Sequence, residues 1–365
     1  MSAKRVLFIS KKFLDPSQGG REMLSSLMFQ SIKQNFDNLA YYEVDSEKLK
    51  YSKPGFFEKF FFGKIDGISD GMANSIINDI KNKNIDNVFL DGSNLGYFAH
   101  KIKTTFPNVC VICFFHNAEY KFFLDAFFKA KSLRSLAVLW INYIAERKAV
   151  LKSDHIITLT KDDSEILKKI YGKSAQTIVP IALKDQFKSE FQNESTSNSS
   201  KYILFVGGLF YANLFGIKWF IKNVSPYIKY KTIIVGSGFE AFKEDFERFK
   251  NVEVIGKVEH LDNWYSQAEY VIAPIFSGSG MKTKVAEAFM HGKKIIATSS
   301  ALIGYDNLPE NSYFKCNTKD EFIDLICSLQ KKEVLKFDDS LRDIYEKNFS
   351  SSAFQKKLIT VFQDL

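Results

Sequence analysis

The pattern that most constrains this chain is a strand, a glycine-bearing loop, a helix and a second strand between residues 269 and 297. Residues 269–275 are a short apolar run of strand type. Residues 277–280 form a flexible turn, and residues 282–291 contain good helix formers that end at Gly292. The order predicts a βα unit whose loop presents backbone N–H groups at a helix N-terminus, a favourable site for a diphosphate.

Charged side chains follow this loop in an order that an anionic ligand would explain. Lys282 and Lys284 stand in the first helical turn, where the helix dipole disfavours positive charge. Of the two, we favour Lys282 for stabilising the charge on phosphates. Glu287 could accept hydrogen bonds from a ribose or a sugar. The alternatives are a solvated first turn for the lysines, and an exposed Glu287 that pairs with Lys284.

Length and charge indicate two domains of different character. A chain of 365 residues is too long for one typical core. Residues 1–183 hold 26 Lys/Arg against 19 Asp/Glu, whereas residues 184–365 hold 24 against 23. The basic, aromatic-rich first half fits an anionic membrane surface or an acidic lipid-phosphate acceptor, and a plain solvated surface remains open. No nucleic-acid-binding motif is present, so nucleic acid is not an expected partner.

Hydrophobic patterning and cysteine usage predict a cytoplasmic protein, and peripheral association at the inner membrane face stays open. No apolar run reaches 18 residues, and the run Val6-Leu-Phe-Ile9 is too short for a signal peptide. Cys110 and Cys113 have CxxC spacing but lie inside a predicted buried strand, where residues i and i+3 point to opposite faces. We therefore interpret them as small core residues in a reducing compartment.

Alternating strands and helices predict a doubly wound parallel sheet in each half of the chain. Strands of the first half are expected at residues 4–10, 87–91, 109–115, 155–160 and 177–180. The polar run 192–200 predicts a linker, and the pattern restarts with strands at 201–206, 232–235 and 252–255. The predicted domains are therefore 1–190 and 201–341, joined by a linker at 191–200.

Several residues occupy the carboxyl ends of predicted strands, where open α/β sheets bind ligands. His116 directly follows one strand, which favours a site residue over a capping histidine. Glu119 either contacts an acceptor or caps a helix. Gly207 and Gly208 would let the backbone approach a diphosphate closely, although an ordinary tight turn is the alternative. Gly19 and Gly20 follow the first strand and carry the same two interpretations.

Two aromatic clusters with nearby lysines lie in the first half. One comprises Phe56, Phe57 and residues 60–62, and the other belongs to a long helical region at residues 120–152 that includes Trp140. An interfacial amphipathic surface has this composition, and so does a helix that buries its aromatic residues in a core.

The segment Gly278-Ser-Gly-Met-Lys-Thr-Lys-Val-Ala-Glu287 resembles the donor-site segment of retaining GT-B glycosyltransferases of the family 4 group. That family commonly carries two glutamates separated by seven residues. The second falls on Glu287 and Ser279 stands at the first, as in a branch with a small residue there. The resemblance spans roughly residues 201–310, through the segments Phe205-Val-Gly-Gly-Leu209, Val235-Gly-Ser-Gly238 and Gly256-Lys-Val258, with Asn213 and Trp219. It is weaker in the first half, at Gly19-Gly20 and His116-Asn-Ala-Glu119.

The resemblance implies two Rossmann-like domains with a cleft between them. The first would bind the acceptor and the second a nucleotide-diphosphate sugar, and a final helix at about 342–365 would cross back to the first. It implies a diphosphate and ribose site at Glu287 and at Gly207, Gly208, Gly236, Lys257, Val258, Ser279, Gly280, Met281, Lys282 and Thr283. Gly19 and Gly20 would add contacts from the first domain, and His116 would lie near the donor sugar. The usual first-glutamate contact to the sugar is not implied at Ser279.

The predicted activity is transfer of a sugar to a glycan or lipid-linked acceptor in bacterial surface polysaccharide assembly, such as capsule or O-antigen. The resemblance implies retention, no metal and no cofactor, with a UDP-sugar slightly favoured over a GDP-sugar as donor. Two alternatives remain open. One is a sugar-nucleotide epimerase of the same fold, and the other is a noncatalytic nucleotide-sugar-binding partner of an active transferase.

Overall fold

Two compact units make up the chain. The computed structural model describes residues 4–11, 20–44, 54–188, 201–278, 280–331 and 334–363. The first unit comprises Met1–Ile181 and Phe354–Leu365, and the second comprises Ala182–Ala353. The predicted linker at 191–200 lies outside the described residues.

The first unit is built on a parallel six-stranded sheet with the order β2-β1-β3-β4-β5-β6. Its strands are β1 (Val6–Lys11), β2 (Leu39–Val44), β3 (Asn87–Asp91), β4 (Cys110–Phe115), β5 (His155–Thr158) and β6 (Thr177–Ile178). All the pairings are parallel. The central strands are almost fully buried on both faces, which explains their continuous apolar sequences.

Helices flank this first sheet. They are α1 (Gly20–Asn35), α2 (Phe56–Phe62), α3 (Asp70–Lys83), α4 (Gly96–Thr105), α5 (Glu119–Ala130), α6 (Leu133–Lys152) and α7 (Lys161–Tyr171). Helix α3 illustrates how the sequence sets a helix start and a buried face. Ser69 caps it by accepting a hydrogen bond from the N–H of Met72 at 3.3 Å, and the buried Met72, Ile76 and Ile80 recur every four residues on one face.

The second unit repeats the architecture, with the strand order β12-β11-β10-β7-β8-β9. Its strands are β7 (Tyr202–Val206), β8 (Lys231–Val235), β9 (Val252–Gly256), β10 (Tyr270–Ala273), β11 (Ile295–Ala297) and β12 (Tyr313–Lys315). Its helices are α8 (Tyr211–Asn223), α9 (Lys243–Phe246), α10 (Asp262–Gln267), α11 (Thr283–Met290), α12 (Lys319–Leu329) and α13 (Asp339–Asn348), and α14 (Ser351–Gln363) follows. Within the first unit, Phe362 of α14 packs on Phe36 with ring centroids 4.8 Å apart.

The prediction of two doubly wound parallel sheets is confirmed. The predicted helical region at residues 120–152 consists of two helices, α5 and α6. Lys131 ends α5 in the left-handed region at φ 44°, and the Ser132 hydroxyl accepts a hydrogen bond from the N–H of Ser135 at 3.1 Å to start α6. The edge strand β2 was not predicted, because its residues are only half-buried and lack a continuous apolar run.

Among the residues that the structure describes, no helix is both long and apolar enough to cross a bilayer. The same residues contain no group of three or more His, Cys, Asp or Glu side chains arranged to hold a metal ion.

Candidate functional site

A cavity of about 770 Å³ opens in the second unit at the carboxyl ends of β7, β8 and β9. Its other walls are the first turns of α11 and the segment around Asp185. Strand β7 pairs with β8 on one side and with β10 on the other. The chain therefore adds strands on one side of β7 as far as β9, and on its other side from β10 onward. Ligands of open α/β sheets bind at such a switch point, and the volume lies within the range of ligand pockets.

The loops after the three strands are bonded side by side by their backbones. The N–H of Gly207 donates to the carbonyl of Val235 at 3.0 Å, and the N–H of Gly236 donates to the carbonyl of Gly256 at 2.7 Å. A Cβ atom added at Gly236 would overlap the carbonyl oxygen of Gly207. Glycine is therefore required at position 236, and the cavity keeps a wall of bare backbone.

The carboxylate of Glu240 holds together the loops that follow β8 and β9. The two oxygens of Glu240 accept hydrogen bonds from the N–H groups of Gly238 and Lys257, each at 2.6 Å. Backbone hydrogen bonds lower the pKa of Glu240 and keep it ionised. This arrangement holds Lys257 and Val258 at the cavity wall.

Lys284 is the cation most deeply placed in this cavity. The residue is only 6% exposed, and its ammonium group lies 4.3 Å from the centroid of the Phe205 ring. The ammonium donates to the side-chain oxygen of Asn213 at 2.8 Å. Burial lowers the pKa of Lys284 to about 7, an effect that Glu287 opposes and Lys282 reinforces. An anionic ligand in the cavity would favour the charged form.

Glu287 lies one turn further along α11, in the wall of the cavity. Its carboxylate accepts a hydrogen bond from the hydroxyl of Tyr265 at 3.3 Å. Burial raises the pKa of Glu287, while Lys284 and Tyr265 oppose that shift. The side chain can thus accept hydrogen bonds from hydroxyl groups, and its protonation state depends on these neighbours.

Lys282 takes a different position. It is the residue that precedes α11, and its ammonium donates to the carbonyl oxygens of Gly278 at 3.1 Å and Gly280 at 2.6 Å. Its own carbonyl accepts a hydrogen bond from the hydroxyl of Tyr305 at 2.8 Å. The side chain therefore folds back on the loop and is not part of the cavity wall.

The rim of the cavity contains acidic groups that the sequence analysis did not select. Asp185 accepts hydrogen bonds from Arg342, which also donates to the carbonyl of Met290 at 2.9 Å. Buried Asp262 accepts from the N–H of Lys188 at 3.1 Å. No local motif marks these residues, since the partners stand far apart in the sequence.

The predicted site residues fall into four groups. Seven of them line the cavity: Gly207, Gly208, Gly236, Lys257, Val258, Thr283 and Glu287. Gly280, Met281 and Lys282 lie in the loop before α11, outside the cavity wall. Gly19 and Ser279 lie outside the described residues, and Gly20 and His116 belong to the first unit.

His116 forms a buried pair with an aspartate at the carboxyl edge of the first sheet. Its Nε2 lies 2.6 Å from Oδ1 of Asp91, and the two residues are 6% and 4% exposed. Burial alone would raise the pKa of Asp91, but His116, Ser25 and Arg21 outweigh it and hold that pKa below its ordinary value. The pair fixes the orientation of the imidazole, and the sequence analysis missed Asp91.

Comparison with known proteins agrees with this geometry. Residues 200–332 match the family model described as Glycosyl transferases group 1. That span contains the whole cavity wall except the segment at residues 184–188. No curated protein sequence matches the chain significantly.

Solved structures match almost the whole chain in fold, at low sequence identity. Sucrose-phosphate synthase from Thermosynechococcus elongatus superposes with a TM-score of 0.72 at 12% identity, covering 99% of this chain and 98% of the other. Anabaena HepE in complex with UDP gives 0.69 at 11% identity, over 99% and 100%. HepE has also been solved with UDP-glucose. The lipopolysaccharide outer core galactosyltransferase WaaB gives 0.66 at 13% identity, over 99% and 100%. The two six-stranded parallel sheets with flanking helices therefore form the fold of GT-B glycosyltransferases.

Proposed function

We propose that this protein is a glycosyltransferase that binds a nucleotide-diphosphate sugar in the cavity of its second unit. The observation that carries the proposal is that two features meet in the wall of that cavity. One is the bare backbone of Gly207 and Gly236, and the other is the α11 turn with Lys284 and Glu287. Backbone at close range, a buried cation and a hydroxyl acceptor are what a diphosphate joined to sugars requires.

Lys284 is the proposed diphosphate ligand. Its ammonium is held in place by Asn213, so little side-chain entropy is lost when an anion binds. During transfer, negative charge grows on the departing diphosphate, and a fixed cation in a partly desolvated cavity stabilises it. Lys282 would add charge from the loop, at greater distance from the cavity wall.

A UDP-sugar is the proposed donor. The fold match to HepE, which was solved with UDP and with UDP-glucose, supports a uridine nucleotide. The resemblance of residues 278–287 to retaining transferases supports retention without a metal. We further propose a glycan or lipid-linked acceptor and a role in surface polysaccharide assembly. The match to WaaB, a lipopolysaccharide galactosyltransferase, is in keeping with that role.

A thermal-shift panel of UDP, GDP, ADP and CMP, each alone and as its common sugar conjugate, tests the donor site. A ligand specific for the folded protein at about a hundredfold excess over its dissociation constant stabilises it by roughly 2.7 kcal/mol. We expect a selective shift with UDP that Lys284→Ala abolishes. Lys222→Ala, at an exposed position of α8 away from the cavity, should keep the shift. No shift with any nucleotide in the wild-type protein would overturn the donor site.

The reaction is tested by following the sugar of the bound donor. Transfer to a glycan or lipid acceptor, with loss in Glu287→Ala, is the expected result. Conversion of the donor sugar without any acceptor would instead identify an epimerase. Nucleotide binding without either reaction, and full activity of a complex that contains Glu287→Ala, would identify a noncatalytic partner subunit.

A further inference from the structure

Helix α2 exposes most of its aromatic residues. Its sequence is Phe-Phe-Glu-Lys-Phe-Phe-Phe, and none of its seven residues is buried. The exposed fractions are 61% for Phe56, 74% for Phe57, 61% for Phe61 and 51% for Phe62. A concentration of large apolar side chains on one short helix marks an interaction surface in a water-soluble fold.

Hydrogen bonds fasten this helix in that orientation. Trp140 of α6 donates to the carbonyl of Phe60 at 3.1 Å, and the ammonium of Lys148 donates to the carbonyl of Phe62 at 2.9 Å. Buried Lys64 bridges Glu58 and Asp70 at 2.5 and 2.6 Å. The rings therefore point outward because the backbone is anchored to α6, and a collapse of α2 onto the core would break these bonds.

Helix α6 extends the exposed surface. Leu133, Leu136 and Trp140 are 86%, 45% and 42% exposed, and their spacing of three and four residues places them on one helical face. The Trp140 ring lies 5.9 Å from the Phe60 ring, which joins the two helices. We call the combined surface the aromatic patch; its members are Phe56, Phe57, Phe61, Phe62, Leu133, Leu136 and Trp140.

Basic residues lie on α2 and α6, which carry the aromatic patch, and on α5, which packs against α6. Residues 54–64 and 119–152 together contain nine Lys/Arg and four Asp/Glu. Three of the acids are engaged, since Glu58 pairs with Lys64, Asp125 pairs with Lys121, and Glu146 is buried. The exposed basic residues, which we call the basic rim, are Lys121, Lys129, Lys131, Arg134, Arg147 and Lys152. This rim is complementary to a negatively charged surface.

We propose that the aromatic patch and its basic rim dock the protein on an anionic phospholipid bilayer. Aromatic rings partition into the headgroup region of a bilayer, and each nearby cation adds attraction to anionic lipids. A second copy of this chain fits less well, because self-association through the patch would bring two basic rims together. The docking deepens the proposed function, since it rests on a lipid-linked acceptor that is reached from the membrane surface.

Vesicle co-sedimentation tests the docking. Vesicles of phosphatidylcholine alone are compared with vesicles containing about one-third phosphatidylglycerol. We expect roughly tenfold tighter binding to the anionic vesicles. The double variant Phe57→Ser/Phe61→Ser and the double variant Arg134→Gln/Arg147→Gln should each lose most of it. Phe215→Ser is the matched control, because Phe215 is 58% exposed but lies in the second unit, and it should bind as the wild type does.

Three results of the vesicle assay would overturn the docking. They are equal affinity for neutral and anionic vesicles, no vesicle binding at all, and double variants that bind like the wild type. A dimer that dissociates in Phe57→Ser/Phe61→Ser would assign the patch to a second copy and also overturn it. The UDP thermal shift is measured in the same proteins. Its retention in the patch variants shows that they fold, and its absence in a wild-type protein that binds anionic vesicles would refute the donor site alone.

Discussion

The ammonium of Lys284 lies 2.8 Å from the side-chain oxygen of Asn213, and both side chains close over the bare backbone of Gly207. A Cβ atom at Gly207 would lie 2.8 Å from the amide nitrogen of Asn213 and 3.1 Å from the Lys284 ammonium. The glycine, the amide and the cation thus form one unit, in which a buried charge is held by a neutral partner. An anionic ligand would give this buried ammonium an oppositely charged partner.

The first prediction concerns the pH dependence of donor binding. Because burial lowers the pKa of Lys284 to about 7 in the free protein, an anionic donor must draw a proton onto it as the pH rises. The affinity for UDP-glucose should therefore fall about tenfold between pH 6 and pH 8. Calorimetric titration measures it, with UDP-glucose chosen because its diphosphate does not titrate in this range. An equally steep pH dependence in Lys284→Ala would refute the assignment.

The second prediction concerns Gly236. Its added Cβ in Gly236→Ala would overlap the Gly207 carbonyl, so the loops after β7 and β8 must separate. We expect a loss of more than about 2 kcal/mol in the free energy of unfolding. Denaturant unfolding measures this. Gly55→Ala is the matched control, because nothing lies within 4 Å of its Cβ position, and it should cost less than about 1 kcal/mol.

The third prediction concerns the pair of Asp91 and His116. We propose that Asp91 is a positioning residue, since its carboxylate holds Nε2 of the imidazole at 2.6 Å. Asp91→Asn should lower the rate of sugar transfer roughly tenfold or more, as loss of an orienting partner does elsewhere. The UDP thermal shift should stay unchanged, because the nucleotide site belongs to the other unit. Asp79→Asn, on the surface helix α3, serves as control. An unchanged rate of sugar transfer in Asp91→Asn would show that the Asp91–His116 pair has no role in transfer.

The fourth prediction concerns Glu146, a buried carboxylate of α6. It accepts hydrogen bonds from the N–H groups of Glu119 and Tyr120 and from the hydroxyl of Tyr171. Burial nevertheless raises the pKa of Glu146 from 4.5 to about 7. The folded protein therefore holds a proton here that the unfolded chain releases. Below pH 4.5, Glu146 makes its full contribution to the free energy of unfolding. That contribution falls by about 3 kcal/mol as the pH rises to 7.

Chemical denaturation of wild type and Glu146→Gln between pH 4.5 and 8 measures this effect. The variant should gain stability relative to the wild type as the pH rises through this window. Glu165→Gln, at a position 66% exposed on α7, should follow the wild type at every pH. Parallel curves for wild type and Glu146→Gln would contradict the raised pKa.

Much of the fold could be predicted from the sequence, because the buried strands are continuous apolar runs. The edge strands β2 and β12 lack such runs and were missed. The predicted glycine-bearing loop lies between β10 and α11, but the choice between Lys282 and Lys284 could not be made from the sequence. Lys282 precedes α11 and Lys284 lies in its first turn, so the two side chains point in different directions. Which one enters the cavity depends on the rotation of α11, and the packing of buried Val285 and Phe289 sets that rotation.

Contacts between distant parts of the chain could not be predicted from the sequence either. Composition identified the aromatic clusters at residues 56–62 and 120–152 but left both a buried core helix and an exposed surface open. The Trp140 bond to the Phe60 carbonyl decides this, because it anchors the backbone of α2 and leaves the rings outside. Asp91 stands 25 residues before His116, and only the parallel pairing of β3 with β4 brings the two together.

A crystal structure of the protein with bound UDP is the most direct test of the donor site. We expect nucleotide in the cavity of the second unit, with the diphosphate within hydrogen-bonding distance of the Lys284 ammonium and beside Gly207. Nucleotide bound away from Lys284, or a cavity that stays empty at saturating UDP, would contradict it.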